Sequence, residues 1–269
     1  MTYRSILISG ASSGIGCALA RLYAQSGTHL ALIGRDEPRL NAIAAECRSA
    51  GAAVTTLQQD VRARKALADW IAAVDDGHPI DLVIAAAGVT SGTGVGRRRE
   101  NPEMARATLD INVGGLLNTV EPVIERMSIR GGGRVALVGS LAALRGLPYC
   151  PAYCASKAAV HLYAEAIRAN LAPQGVRVTL IVPGFVSTPL NHDMICPKPL
   201  QISVERAAHI IHRGLGRGAD VIAFPRLLYY GTHLLRLLPT RWADTIIGQF
   251  HVDIPERLQQ IAEDPAHRP

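Results

Sequence analysis

The strongest constraint on the fold is an alternation that runs through most of the 269 residues. Short apolar runs are each followed by a stretch of helical periodicity. Residues 4–9, 29–33, 54–57, 81–86, 134–138, 176–182 and 220–224 read as strands, most of them apolar on consecutive positions. A strand buried on one face alternates apolar and polar residues, whereas an unbroken apolar strand is covered on both faces. Residues 15–26, 38–50, 66–74, 102–128, 153–171 and 204–215 read as helices between those strands. Such repetition predicts an α/β fold, a doubly wound parallel sheet of about seven strands with helices on both faces. No linker, internal repeat or low-complexity segment divides the chain. Residues 1–225 therefore read as one domain, followed by a C-terminal helical extension over 226–269 that packs on it.

Composition narrows the function classes. The chain is 48% hydrophobic and 19% charged, as soluble globular proteins are. Its net charge is +6, but the basic residues are scattered. The one dense run, Arg97-Arg98-Arg99, is followed at once by Glu100. Nucleic-acid binding needs a basic stripe on one face, so no nucleic-acid partner is expected. A solvated basic surface that favours an anionic cofactor fits better. The five cysteines (Cys17, Cys47, Cys150, Cys154 and Cys196) show no metal or redox spacing and read as free thiols in a reducing compartment. His209 and His212 lack a nearby third ligand, so no metal is expected. The N-terminus enters a strand almost directly, and no apolar run reaches the ~18 residues of a spanning helix. A cytoplasmic protein is the expectation.

The stretch Ser9-Gly10-Ala11-Ser12-Ser13-Gly14-Ile15-Gly16 joins the first strand to the first helix. Backbone amides at a helix start are unpaired and suit a pyrophosphate. Gly10 would make the tight turn, Gly14 the close approach to the ligand, and Gly16 the close packing of helix on strand. Ser12, Ser13 and Ile15 complete this cofactor loop. The second strand ends Gly34-Arg35-Asp36, with no acid at the position that binds ribose hydroxyls in NAD sites. Arg35 follows and suits a 2′-phosphate, so NADP(H) is preferred to NAD(H). Asp36 reads as a helix cap.

Tyr153 and Lys157 stand four apart at the start of a helix, which puts both on one face. A tyrosine has a reference pKa near 10, too high for acid–base work at neutral pH, and a nearby ammonium lowers it. Ser140 follows the fifth strand, at the strand end where open α/β sheets bind substrates. Asn112 lies inside the long helix, where a buried amide needs partners.

Taken in order, the glycine turn, Asn112, Ser140, Tyr153, Lys157 and Pro183-Gly184 resemble the short-chain dehydrogenase/reductase family, in its single-domain branch, over residues 4–225. The resemblance implies a Rossmann-like fold and roles for these positions. Tyr153 would be the acid/base, Lys157 would hold the nicotinamide ribose and lower the tyrosine pKa, and Ser140 would bond the reacting oxygen. Asn112 would position a water that relays protons to Lys157. Asp60 and Val61 match positions beside the adenine; Gly88, Pro183, Gly184, Val186 and Thr188 match cofactor contacts. The chain departs from the family at Ala85-Ala86-Ala87-Gly88, where Ala86 replaces an asparagine, and at Ser9, which replaces a threonine.

Two segments carry weaker signals. Residues 186–202 hold three prolines and resemble the family's variable substrate lid, and Tyr149, Cys150 and Pro151 are candidate substrate contacts. In the extension, Leu227, Tyr230, Leu234, Leu235 and Leu238 fall on one helical face, and Trp242, Ile246 and Phe250 on another. These faces pack on the body or a subunit partner, line a substrate entrance, or make peripheral membrane contact, where Arg226, Arg236 and Arg241 suit an interfacial helix. The expected function is an NADP(H)-dependent carbonyl reductase or alcohol dehydrogenase of an apolar or lipid-like substrate, assembled as a homodimer or homotetramer. The rival readings are an NAD(H)-dependent dehydrogenase of a small polar alcohol, a non-catalytic dinucleotide sensor, a sugar-nucleotide epimerase and a membrane-surface scaffold.

Overall fold

The computed structural model describes residues 3–93, 99–192, 194 and 196–248. Arg97 and Arg98 of the basic run lie outside the described residues, as do Phe250 and the rest of the extension past Gly248. The first half of the chain runs β1 (Ser5–Ser9), α1 (Gly14–Tyr23), β2 (His29–Gly34), α2 (Glu37–Ser49), β3 (Ala53–Gln58), α3 (Arg64–Gly77) and β4 (Leu82–Ala85). Then come α4 (Pro102–Leu109), a π turn (Asp110–Gly114), α5 (Gly115–Arg130), β5 (Gly133–Val138), α6 (Pro151–Leu171) and β6 (Val176–Pro183). The last part runs β7 (Val186–Ser187), α7 (Pro189–His192), β8 (Ile202–Ser203), α8 (Val204–Gly216), β9 (Val221–Phe224), α9 (Arg226–Leu235) and α10 (Thr240–Gly248). Seven strands form one parallel sheet in the order β3-β2-β1-β4-β5-β6-β9, the Rossmann-like arrangement that the apolar runs predict.

The core shows why the strands are apolar at consecutive positions. Ile6 and Ile8 of β1 pack with Leu19 of α1 and Ile211 of α8 on one face. Leu7 points the other way, to the cluster of Ile71 of α3, Val120 of α5 and Val160 of α6. Leu30 and Leu32 of β2 repeat the first pattern, and Ala31 and Ile33 the second. Each buried Leu or Ile stabilises the fold by about 1.5–3 kcal/mol, so both faces are held by many such contributions.

The strand order reverses between β1 and β4. The chain winds to one side of β1 to build β2 and β3, and to the other to build β5, β6 and β9. The carboxyl ends of β1 and β4 therefore border a crevice that no crossover covers.

Four elements differ from the sequence expectation. The helix expected over 102–128 contains the π turn at Asp110–Gly114. Its buried Asn112 amide is tied to neighbouring chain, and Gly115 follows because a side chain there would meet Val61 Cβ at 2.9 Å. The helix expected at residue 153 starts at Pro151, whose missing N–H costs nothing in a first turn. The segment 186–202, read as aperiodic, is pinned by the parallel pair Val186↔Ile202 and Ser187↔Ser203. Finally, α9 stops at Leu235, so Leu238 falls beyond the helix, next to the Pro239 that restricts it. Asp36 caps α2 as expected, its Oδ1 accepting from Arg39 N at 3.0 Å.

Candidate active site

The crevice begins at Gly10. Its φ is +70°, and a Cβ there would lie 2.7 Å from Ala87 N, so the β1 and β4 exits meet only if this residue is glycine. Ser13 caps α1 without a side-chain hydrogen bond to its first turn. The amides at that helix end are therefore left for an anionic ligand, which is the fit a pyrophosphate requires. Gly10, Ser13, Gly14 and Ile15 line a central cavity of about 140 Å³ with Gly88, Ser140, Tyr153, Lys157, Pro183, Gly184, Val186 and Thr188. Gly10, Ser12, Ser13, Arg35, Asp60, Val61 and Gly88 line an adjoining cavity of about 430 Å³. The shared lining makes one trough from Arg35 to Tyr153. Gly16 and Asn112 are brought close without lining it. Gly16 sits against the Gly10 carbonyl, and the Asn112 amide lies behind Gly88, 3.1 Å from where its Cβ would be.

Electrostatics differ along the trough. Asp60 is buried and paired with Arg62 at 3.0 Å. Burial would raise its carboxyl, but the hydrogen bonds from Arg62 hold it below the usual carboxylate range. Arg35 and Arg39 flank Asp36 at the mouth of this end, and Asp36 pairs with Arg39 at 3.2 Å.

At the other end Tyr153 sits in the first turn of α6. Burial pushes its hydroxyl up to about 12, opposed by a hydrogen bond with Ser140, so the direction is opposite to the lowering expected from Lys157. Lys157 is buried, donates from Nζ to Val138 O at 2.9 Å and lies 5.9 Å from the tyrosine ring centroid. Burial lowers its ammonium to about 8. Ser140 starts a short turn, its Oγ accepting from Ala142 N at 3.1 Å. Asn112 Oδ1 accepts from Val89 N at 2.8 Å, and its Nδ2 donates to Val89 O and Ser156 Oγ at 2.9 Å each. The amide therefore clamps the loop after β4 to α6. Its side-chain nitrogen and oxygen both have protein partners.

His161, which no sequence motif marks, holds this arrangement from beneath. Its Nε2 accepts from Ser140 N at 3.3 Å, and its ring fills the space where a Gly139 side chain would be. The signal that could have found it is spacing: His161 follows Lys157 by four residues and Tyr153 by eight on α6. His209 and His212 of α8 stay apart from the site, and the His212 ring packs on Tyr23 at 4.9 Å.

A third cavity of about 480 Å³ opens from the reacting end, and Ser140 and Tyr153 line both it and the central one. Its walls are mainly apolar: Leu141 and Leu147 after β5, Met194 from the lid segment, Leu228 and Leu235 of α9, and Ile247 of α10. Of the candidate loop contacts, Cys150 lines it and Tyr149 packs behind, against Cys150 and Cys154. Arg145, also in its wall, pairs with Asp244 and ties α10 over the opening. All five cysteines are free.

The trough ends at a tyrosine, a lysine and a serine, groups that can exchange a proton with an alcohol or carbonyl oxygen. Residues 4–196 match the short chain dehydrogenase family, and the chain belongs to it. An uncharacterized oxidoreductase of Myxococcus xanthus is 37% identical over 89% of this chain and 94% of its own. A short-chain dehydrogenase of Sphingobium yanoikuyae, solved in complex with NADPH, is 25% identical, covering 99% of this chain and 98% of its own at a TM-score of 0.74. A short-chain dehydrogenase/reductase of Burkholderia phymatum, solved with NAD, shares the fold at a TM-score of 0.78 and 21% identity, over 87% of this chain and 92% of its own. This protein is thus an oxidoreductase acting on an alcohol or carbonyl with a nicotinamide dinucleotide.

Proposed function

We propose that the protein is an NADP(H)-dependent carbonyl reductase of apolar or lipid-like substrates. The observation that carries this reading is the position of Ser140 and Tyr153 at the junction of the cofactor trough and the apolar cavity. A bound reduced nicotinamide supplies the hydride. The substrate carbonyl oxygen rests between the Ser140 and Tyr153 hydroxyls, and Tyr153 gives it a proton. Reduction needs Tyr153 in its protonated form, which burial favours, while a nearby ammonium works the other way, toward the range useful for proton transfer. Oxidation needs the phenolate, which the Lys157 ammonium favours. Lys157 also reaches the ribose side of the trough, and Asn112 holds the loop that carries Gly88.

Arg35 is assigned to the 2′-phosphate, because β2 ends in Gly34, which has no carboxylate to repel it. The similar structures include complexes with NADPH and with NAD, so this choice rests on Gly34 and Arg35. Residues 1–225 form the dinucleotide-binding and catalytic unit, with the extension as cover of the substrate cavity. The assembly is a homodimer or homotetramer.

A panel of ketones of increasing apolar size, followed by NADPH and NADH oxidation, tests the reading. Each buried methylene contributes about 0.8 kcal/mol, so kcat/KM should rise roughly fourfold per carbon until the cavity is full. Arg35→Ala should raise KM for NADPH roughly ten- to hundredfold through a lost charged hydrogen bond, and leave NADH use unchanged. Equal use of both cofactors by the wild type would defeat the phosphate assignment.

A further inference from the structure

The helix α9 separates two apolar regions. Leu228, Thr232 and Leu235 face inward onto the substrate cavity. The opposite face is also apolar and open: Tyr230 is 64% exposed, Leu234 65% and Leu237, just past the helix, 80%. Trp242 and Ile246 of α10 are exposed as well, at 60% and 40%. A soluble chain seldom exposes so many large apolar side chains side by side without a partner for them.

Charge identifies that partner. Arg226, Arg236 and Arg241 are exposed around the apolar face. The one acid in α9 and α10 is Asp244, and Arg145 neutralises it. An apolar face with an arginine rim and a tryptophan fits the boundary of an anionic bilayer, where arginine side chains reach lipid phosphates and rings sit among headgroups. The two helices, of 10 and 9 residues, are too short to cross a bilayer, and no helix among the described residues is long and apolar enough to do so.

We propose that α9 and α10 form a docking surface for an anionic phospholipid bilayer, which places the apolar cavity beside the membrane so that a lipid-phase carbonyl compound enters it past α9. The entry part of this inference rests on the apolar-substrate reading above; the docking part stands on the exposed surface alone.

The test uses the full-length protein and vesicles of phosphatidylglycerol with phosphatidylcholine, compared with phosphatidylcholine alone. The protein should co-sediment with the anionic vesicles roughly tenfold or more better, and lose that preference in high salt. Leu234→Glu with Leu237→Glu, outside the cavity wall, should abolish co-sedimentation and leave NADPH binding unchanged. In a Trp70→Phe background, brominated lipid should quench Trp242. A wild type that stays in solution with both vesicles would overturn the proposal, as would vesicle binding indifferent to the double substitution. A dimer that the double substitution splits, without vesicle binding, would assign the face to a second copy instead. NADPH oxidation with a short, water-soluble ketone in the same preparations reads the catalytic proposal separately, so failure of either is visible on its own.

Discussion

At the scale of single residues, the site depends on where protons are held. Tyr153 keeps its proton because burial pushes its hydroxyl up to about 12. Its partner Ser140 is held in turn by His161, which accepts from the Ser140 amide at 3.3 Å. That bond requires the unprotonated Nε2, and burial lowers the ring to about 4. His161→Gln keeps an acceptor near this place, whereas His161→Leu leaves a buried amide unpaired, a cost of about 1–3 kcal/mol. The expected outcome is a fall in kcat of roughly tenfold for His161→Leu with little change in KM for NADPH, and near-wild-type kcat for His161→Gln. Steady-state kinetics on the two variants checks this. A positioning role predicts the rescue by Gln; loss of activity in both variants would mean that His161 serves only the packing of α6.

At the scale of elements, the π turn before α5 is the most informative feature. Its extra residue turns Asn112 toward Val89 and Ser156, and it brings Gly115 against Val61. Gly115→Ala would force Val61 or the backbone to shift. It should destabilise the protein by about 1–3 kcal/mol in urea unfolding, and weaken cofactor binding because Val61 lines the trough. Most elements were legible from the sequence, since a doubly covered strand such as Ile6-Leu7-Ile8 leaves an unbroken apolar run. Tyr153 and Lys157 were legible because four residues is one helical turn. The π turn was not, because helical periodicity continues on both sides of it. Neither was the pairing of Val186 with Ile202, since two residues are too few to show a period. The apolar cavity was visible only as apolar faces in the extension. That Leu235 points into the cavity while Leu234 points outward depends on how α9 docks, which no local pattern encodes.

At the scale of the whole molecule, two kinds of force set the behaviour. The apolar clusters on the two faces of the sheet hold it together, and buried titratable groups make that stability depend on pH. His29 and His161 are both lowered to about 4, mainly by burial. Between about pH 6.5 and 4 the unfolded chain therefore binds protons that the folded one does not, and stability falls as pH falls through this range. The melting temperature should drop between pH 7 and pH 5, and His29→Gln should flatten that dependence. An unchanged slope would mean that the ring is not kept neutral by the fold. In the same architecture Ser140 and Tyr153 line both the central cavity and the apolar one. The proposed function turns on Tyr153 as the proton donor at that junction. Single-turnover reduction of an apolar ketone by NADPH, in wild type and Tyr153→Phe, tests this most directly. With Tyr153 as the donor, the rate in Tyr153→Phe is lower by roughly 10²–10⁴-fold, with NADPH affinity unchanged; an undiminished rate would rule out that role.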